Sequence, residues 1–180
     1  MVDALVSNTS DSNIVPVRSR PWAQASTRMS EKITTNEEKQ LAIDRRYLKM
    51  ARIWATNSYC IRRQVGALLV KDKMIISDGY NGTPSGFENK CEDENDLTKP
   101  YVLHAEANAI TKVAKSNNSS DGSTLYITTS PCMECAKLII QAGIVRVVFE
   151  EKYRNTDGLE LLERANIELV HLQDASEGTT

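Results

Sequence analysis

The run Leu125-Tyr126-Ile127-Thr128-Thr129-Ser130-Pro131-Cys132-Met133-Glu134-Cys135-Ala136-Lys137-Leu138-Ile139-Ile140-Gln141-Ala142-Gly143-Ile144-Val145-Arg146-Val147-Val148-Phe149 decides the architecture. It opens on a β-type run at 125–129 and closes on another at 144–149. Between them lies a helical stretch from 132 to about 141, entered through Pro131 and capped by Gly143. Strand, helix and strand joined by short links place the two strands parallel through a right-handed crossover. Downstream the alternation continues with a helix at about 158–165 and a last strand at 167–172. Upstream, a helix at about 105–115 turns Ile110, Val113 and Ala114 inward. Earlier still, β-type runs at 64–70 and 74–77 flank Lys71-Asp72-Lys73 and read as a hairpin. A helix from Asn36 to about Asn57 presents Leu41, Leu48, Ala51 and Trp54 on one face, with Ile43 and Tyr47 beside them. The loop 78–90 is dense in Gly, Asn and Pro, and acidic residues follow at 92–96. These elements predict an α/β fold of three layers: a mixed five-stranded sheet, antiparallel in its N-terminal hairpin, with helices on both faces. No internal repeat is visible.

The composition fits that reading. The chain has 180 residues, of which 41% are hydrophobic and 26% charged, values typical of a globular domain. With 22 basic against 24 acidic residues, no excess positive charge speaks for a nucleic-acid surface. The longest apolar run, 67–70, is far too short for a membrane span, and the N-terminus lacks the basic-then-apolar layout of a secretory signal. A cytoplasmic protein is expected. Residues 1–35 mix Ser, Thr, Asn and Pro with Arg18, Arg20 and Arg28 and show no hydrophobic period, so they are expected to be a disordered extension. Met29 would be a natural start, and Asp3 and Asp11 argue against a transit peptide. The domain is expected over 36–174, with a short tail at 175–180.

Two segments carry chemistry. His104-Ala105-Glu106 opens one helix and Pro131-Cys132-Met133-Glu134-Cys135 opens the next. Cysteines three apart project from one helix face, and the positive end of a helix favours the thiolate that a metal needs. Thiolate, thiolate and imidazole suit zinc, Zn(2+). Three protein ligands leave a tetrahedral ion one open position, the arrangement of a catalytic rather than a structural site. Glu106, two residues after the histidine, is placed to exchange a proton with water there. A Cys-x-x-Cys alone is a weak signal; His-x-Glu followed by Pro-Cys-x-x-Cys is the zinc-deaminase pattern.

On these residues the chain resembles the zinc-dependent cytidine and deoxycytidylate deaminase superfamily, and within it the deoxycytidylate (dCMP) deaminases. The closer match is carried by Gln64-Val65-Gly66-Ala67, by Gly79-Tyr80-Asn81-Gly82-Thr83-Pro84-Ser85-Gly86 and by His104-Ala105-Glu106-Ala107-Asn108-Ala109-Ile110. Ser130-Pro131-Cys132-Met133-Glu134-Cys135-Ala136-Lys137 and Gln141-Ala142-Gly143-Ile144 continue it. The resemblance covers about 41–170 and implies the cytidine-deaminase-like fold. It implies hydrolysis of dCMP to dUMP and ammonia, feeding dTMP synthesis, with His104, Cys132 and Cys135 as zinc ligands and Glu106 as the proton shuttle. It also implies substrate contacts at Asn81, Ala105 and Tyr153, a homo-oligomer, often a hexamer, and dCTP and dTTP as effectors. Lys152 and Arg154 are candidates to neutralise a 5′-phosphate. Cys60 and Cys91 match positions where some members hold a second, structural metal. Val102 departs from that pattern at an acidic ligand, so Asp93, Glu94 or another chain would have to complete the site. The same chemistry on another cytosine nucleoside, nucleotide or base is the nearest alternative, and a non-catalytic zinc-binding module is the alternative of a different class. A tRNA substrate is disfavoured by the missing basic stripe.

Overall fold

The computed structural model describes residues 36–173. The expectations for 1–35 and for the tail at 175–180 lie outside the described residues. Helix α1 (Asn36–Ala55) leads to strands β1 (Gly66–Lys71) and β2 (Met74–Tyr80), then helix α2 (Ala105–Ala114). Strand β3 (Thr124–Thr129), helix α3 (Met133–Gln141), strand β4 (Arg146–Glu151), helix α4 (Asp157–Arg164) and strand β5 (Glu168–His171) follow. The sheet order is β2-β1-β3-β4-β5. β1 is antiparallel to both β2 and β3, whereas β3, β4 and β5 run parallel. This is the mixed sheet that the alternation predicted.

Strand periodicity sorts the core into two layers. Ala67, Leu69, Leu125, Ile127, Val147 and Phe149 face α2, α3 and α4. Leu68, Val70, Tyr126 and Val148 face Leu48 and Ala51 of α1. Register agrees on both sides: Leu69 pairs with Leu125 and Leu125 with Val147, while Leu68 pairs with Tyr126 and Tyr126 with Val148.

Three details differ from the sequence reading. β2 runs on to Tyr80 rather than ending near 77, because Asp78, Gly79 and Tyr80 still pair with Leu68, Ala67 and Gly66. The hairpin closes on Asp72 and Lys73, both at positive φ, as a tight two-residue turn demands. On α1 the buried positions are Asp44, Leu48, Ala51 and Ala55; Trp54 is 38% exposed and donates its indole N–H to Asp78 at 2.7 Å. Asp44 takes an inward position because it meets Arg146 of β4 in a paired contact of 2.8 Å. Among the described residues no helix is long and apolar enough to cross a membrane.

Candidate active site

His104 is the N-cap of α2 and Cys132 the N-cap of α3, so the two helices bring their N-termini to one place. Glycine makes this approach feasible. A Cβ on Gly79 would lie 2.1 Å from the carbonyl oxygen of Ala105, so α2 rests directly on β2. A Cβ on Gly158 would lie 2.3 Å from the carbonyl oxygen of Pro131, so the start of α4 rests on the Cys132 turn. Neither contact survives a larger side chain without a backbone shift.

The structure brings the three expected ligands together. One donor atom from each of His104, Cys132 and Cys135 lies within 4.8 Å of the others, and both sulfurs are 3.4 Å from His104 Nδ1. A tetrahedral zinc with nitrogen at about 2.0 Å and sulfur at about 2.3 Å separates those atoms by roughly 3.5 Å, so the donor set fits the ion in spacing and in chemistry. Hydrogen bonds from Cys135 and His104 hold the Cys132 thiol down to about 3. Cys135 is pushed up, first by Cys132 beside it and then by burial. Glu106 is 3% exposed, and burial pushes its carboxyl up to about 7, the range in which one group both accepts and gives up a proton.

A cavity of about 560 Å³ opens beside these groups. Its wall includes His104, Glu106 and Cys132 together with Asn81, Ala105 and Tyr153. Asn81 is bonded to backbone through both amide atoms: Oδ1 accepts from Val65 N–H at 2.7 Å, and Nδ2 donates to the Arg63 carbonyl at 2.8 Å. It therefore pins the chain entering β1 against the Gly-rich loop. Tyr153 is held by its backbone N–H donating to Ser130 Oγ at 2.7 Å. Arg154 is on the cavity wall, whereas Lys152 is exposed and not part of it. Arg62, Arg63 and Glu92 also line the cavity, and sequence reasoning passed over all three. The adjacent arginines just before β1 were the available signal for the first two. Glu92 reads in the sequence as one member of a solvated acidic run.

The second metal site considered for Cys60 and Cys91 is corrected by the structure. The structure joins them in a disulfide, with Cα atoms 5.0 Å apart, so neither offers a thiolate. The acidic neighbours are engaged as well: Asp93 Oδ1 accepts from Asn95 and Leu97 N–H groups, and Glu92 Oε1 from Ile61 and Arg62. Among the described residues, His104, Cys132 and Cys135 are the one His/Cys/Asp/Glu group with metal-binding spacing.

Residues 41–151 match the family model of the cytidine and deoxycytidylate deaminase zinc-binding region. The chain belongs to this deaminase family. Human deoxycytidylate deaminase is 37% identical over 138 residues, covering 72% of this chain and 76% of the human protein. The deoxycytidylate deaminase of Saccharomyces cerevisiae is 34% identical over 152 residues; this chain spans about half of its length, 48%. Among solved structures, the dCMP deaminase of cyanophage S-TIM5 in complex with dCMP and dUMP shares 46% identity. Its TM-score is 0.71, and the match covers 73% of this chain and 97% of that one. The mixed α/β sheet read from the alternating strands and helices, and the cytidine-deaminase-like fold that the resemblance implied, are both observed.

Proposed function

We propose that this deaminase hydrolyses dCMP to dUMP and ammonia, with zinc held by His104, Cys132 and Cys135. The observation that carries the reading is the convergence of that donor set with a buried Glu106 on one cavity wall. The choice of dCMP is supported by the cyanophage enzyme, whose complex contains dCMP and dUMP. Zinc held by His104, Cys132 and Cys135 would lower the pKa of water there toward about 7. Glu106 takes a proton from the attacking water, delivers it to ring N3 and later helps the amine at C4 to leave as ammonia. Water supplies the new carbonyl oxygen, so dCMP and water become dUMP and ammonia. Burial of Glu106 excludes competing solvent and keeps its carboxyl ready for both transfers.

Arg62 and Arg154, with Arg63 beside them paired to Glu151 at 3.2 Å, bring guanidinium groups to the cavity wall where a 5′-phosphate would need them. Ala105 and Tyr153 border the space left for the nucleotide, and Asn81 shapes it from the loop. Exposed Tyr59, Ile61, Phe87 and Leu97 offer apolar surface to a homo-oligomer, for which the resemblance implies a hexamer as one form. The test is ammonia release by the zinc-loaded full chain from dCMP, cytidine and dCTP, with products separated by chromatography. dUMP formation from dCMP is expected at the highest kcat/KM. Stoichiometric zinc with no ammonia from any of the three would overturn the reading in favour of a binding module. Repeating the dCMP assay with dCTP or dTTP tests effector control, and sedimentation tests assembly.

A further inference from the structure

Glu92 is buried to 3% exposure on the wall of the active-site cavity, and it is only half used. Its Oε1 accepts from the N–H groups of Ile61 and Arg62, at 3.1 and 3.2 Å. Its Oε2 has no hydrogen-bond partner among the described residues. A buried carboxylate oxygen without a donor is costly, so it calls for a donor from outside the chain, a water or a ligand. The surroundings fix its position. Cys91 beside it is bonded to Cys60, Glu92 forms an isolated bridge with Thr98, and the Oε1 contacts lock the carboxylate plane.

An ionised carboxylate only accepts, so the missing partner must be a donor. A cytosine nucleotide offers few. Its phosphate is an anion and belongs with the guanidinium groups of Arg62, Arg63 and Arg154. Its exocyclic amine must lie at Glu106 for the chemistry, which leaves the sugar. A 2′-deoxynucleotide has one sugar hydroxyl, on C3′. We infer that Glu92 Oε2 accepts the hydrogen bond of the substrate's 3′-hydroxyl and thereby positions the sugar between the phosphate and base ends of the cavity. This rests on the dCMP reading.

The experiment measures binding of dUMP and of 2′,3′-dideoxyuridine 5′-monophosphate to the zinc-loaded full chain by calorimetry, in wild type and in Glu92→Gln. Two backbone donors still need an acceptor, so the substituted amide would give them its carbonyl and present NH₂, a donor, to the cavity. The wild type is expected to prefer dUMP by about 10- to 100-fold. In the variant that preference should fall to within about twofold, chiefly through loss of dUMP affinity, and KM for dCMP should rise more than kcat falls. Equal losses for both ligands would show a structural role only and overturn the assignment. So would a wild type that binds the two alike, a result that needs no variant to fold. If such a wild type still deaminates dCMP, only the Glu92 assignment fails. If it discriminates between the ligands but releases no ammonia, only the dCMP reading fails. Binding of neither ligand overturns both.

Discussion

On the α1 side of the sheet, Asp44 is 2% exposed and is bonded on both carboxylate oxygens. Arg146 donates from Nη1 and Nη2 at 3.0 and 2.8 Å, Tyr126 from its hydroxyl at 2.8 Å, and Gln40 at 2.9 Å. Burial alone would raise its carboxyl, but those donors outweigh it and hold Asp44 below the ordinary carboxylate range. At the cavity, Glu106 and Glu92 are buried to the same degree, 3% each. There burial prevails and lifts Glu106 to about 7, while Glu92 keeps one oxygen unbonded. One depth of burial thus serves two ends. A carboxylate saturated by its own chain is cement, and one left short of donors is kept for something that comes and goes.

The contrast breaks most visibly at Glu106. Glu106→Gln keeps shape and burial but removes the proton carrier, so turnover of dCMP should fall about 10⁴-fold or more. Zinc content by elemental analysis and the melting temperature should stay near wild type. A variant that kept its metal and a tenth of its activity would show that Glu106 carries no proton.

Asp44→Asn should do the reverse. It leaves the Arg146 guanidinium short of its buried partner and should cost about 3 kcal/mol of stability, read by urea denaturation. The fraction that remains folded should deaminate at the wild-type rate. A comparable loss of kcat would mean the two sides of the sheet are not separable.

Gly79→Ala sits between the two. Its Cβ would meet the Ala105 carbonyl and displace the start of α2, so both stability and activity should respond. We expect a loss of about 1–3 kcal/mol in the same denaturation assay. A drop in kcat/KM of about tenfold should accompany it, because His104 and Glu106 move with the helix.

The smallest effect is a sharpening by pH. The folded carboxyl of Asp44 lies below its unfolded value near 4, so the unfolded chain binds the proton more readily there. The stabilisation is complete above that value and is lost as pH falls through the folded one. The stability gap between wild type and Asp44→Asn should therefore be constant near neutrality and narrow below about pH 4. A gap that stayed flat into strong acid would mean the Asp44 charge is not what Arg146 responds to.

Much of this was legible in the chain because it is local. The run from Leu125 to Phe149 contains its own strand, helix entry, glycine cap and second strand, and the ligand motifs sit at helix starts that their own residues announce. What escaped is held by distant partners. Asp44 is an inward residue only because Arg146 stands 102 positions away. Residues 78–80 look like a loop until α2 covers Gly79 and β1 pairs alongside. Trp54 was expected in the core, yet its indole turns to Asp78 across 24 residues. Glu92 is set apart from its acidic neighbours by contacts that the local sequence does not announce, two backbone N–H groups that claim it from 30 and 31 positions away. Periodicity sees faces of elements, not which distant charge will meet them.

Placing His104 and Cys132 at helix N-caps, with Cys135 one turn in, has an entropic consequence. None of the three donors hangs on a mobile arm, so the conformational freedom that metal capture usually freezes was surrendered when the chain folded. An ion leaving such a seat takes little order with it, and one returning has little to impose. Chelation and refilling of this donor set with zinc should therefore leave the far-UV circular dichroism of the folded chain unchanged through repeated cycles.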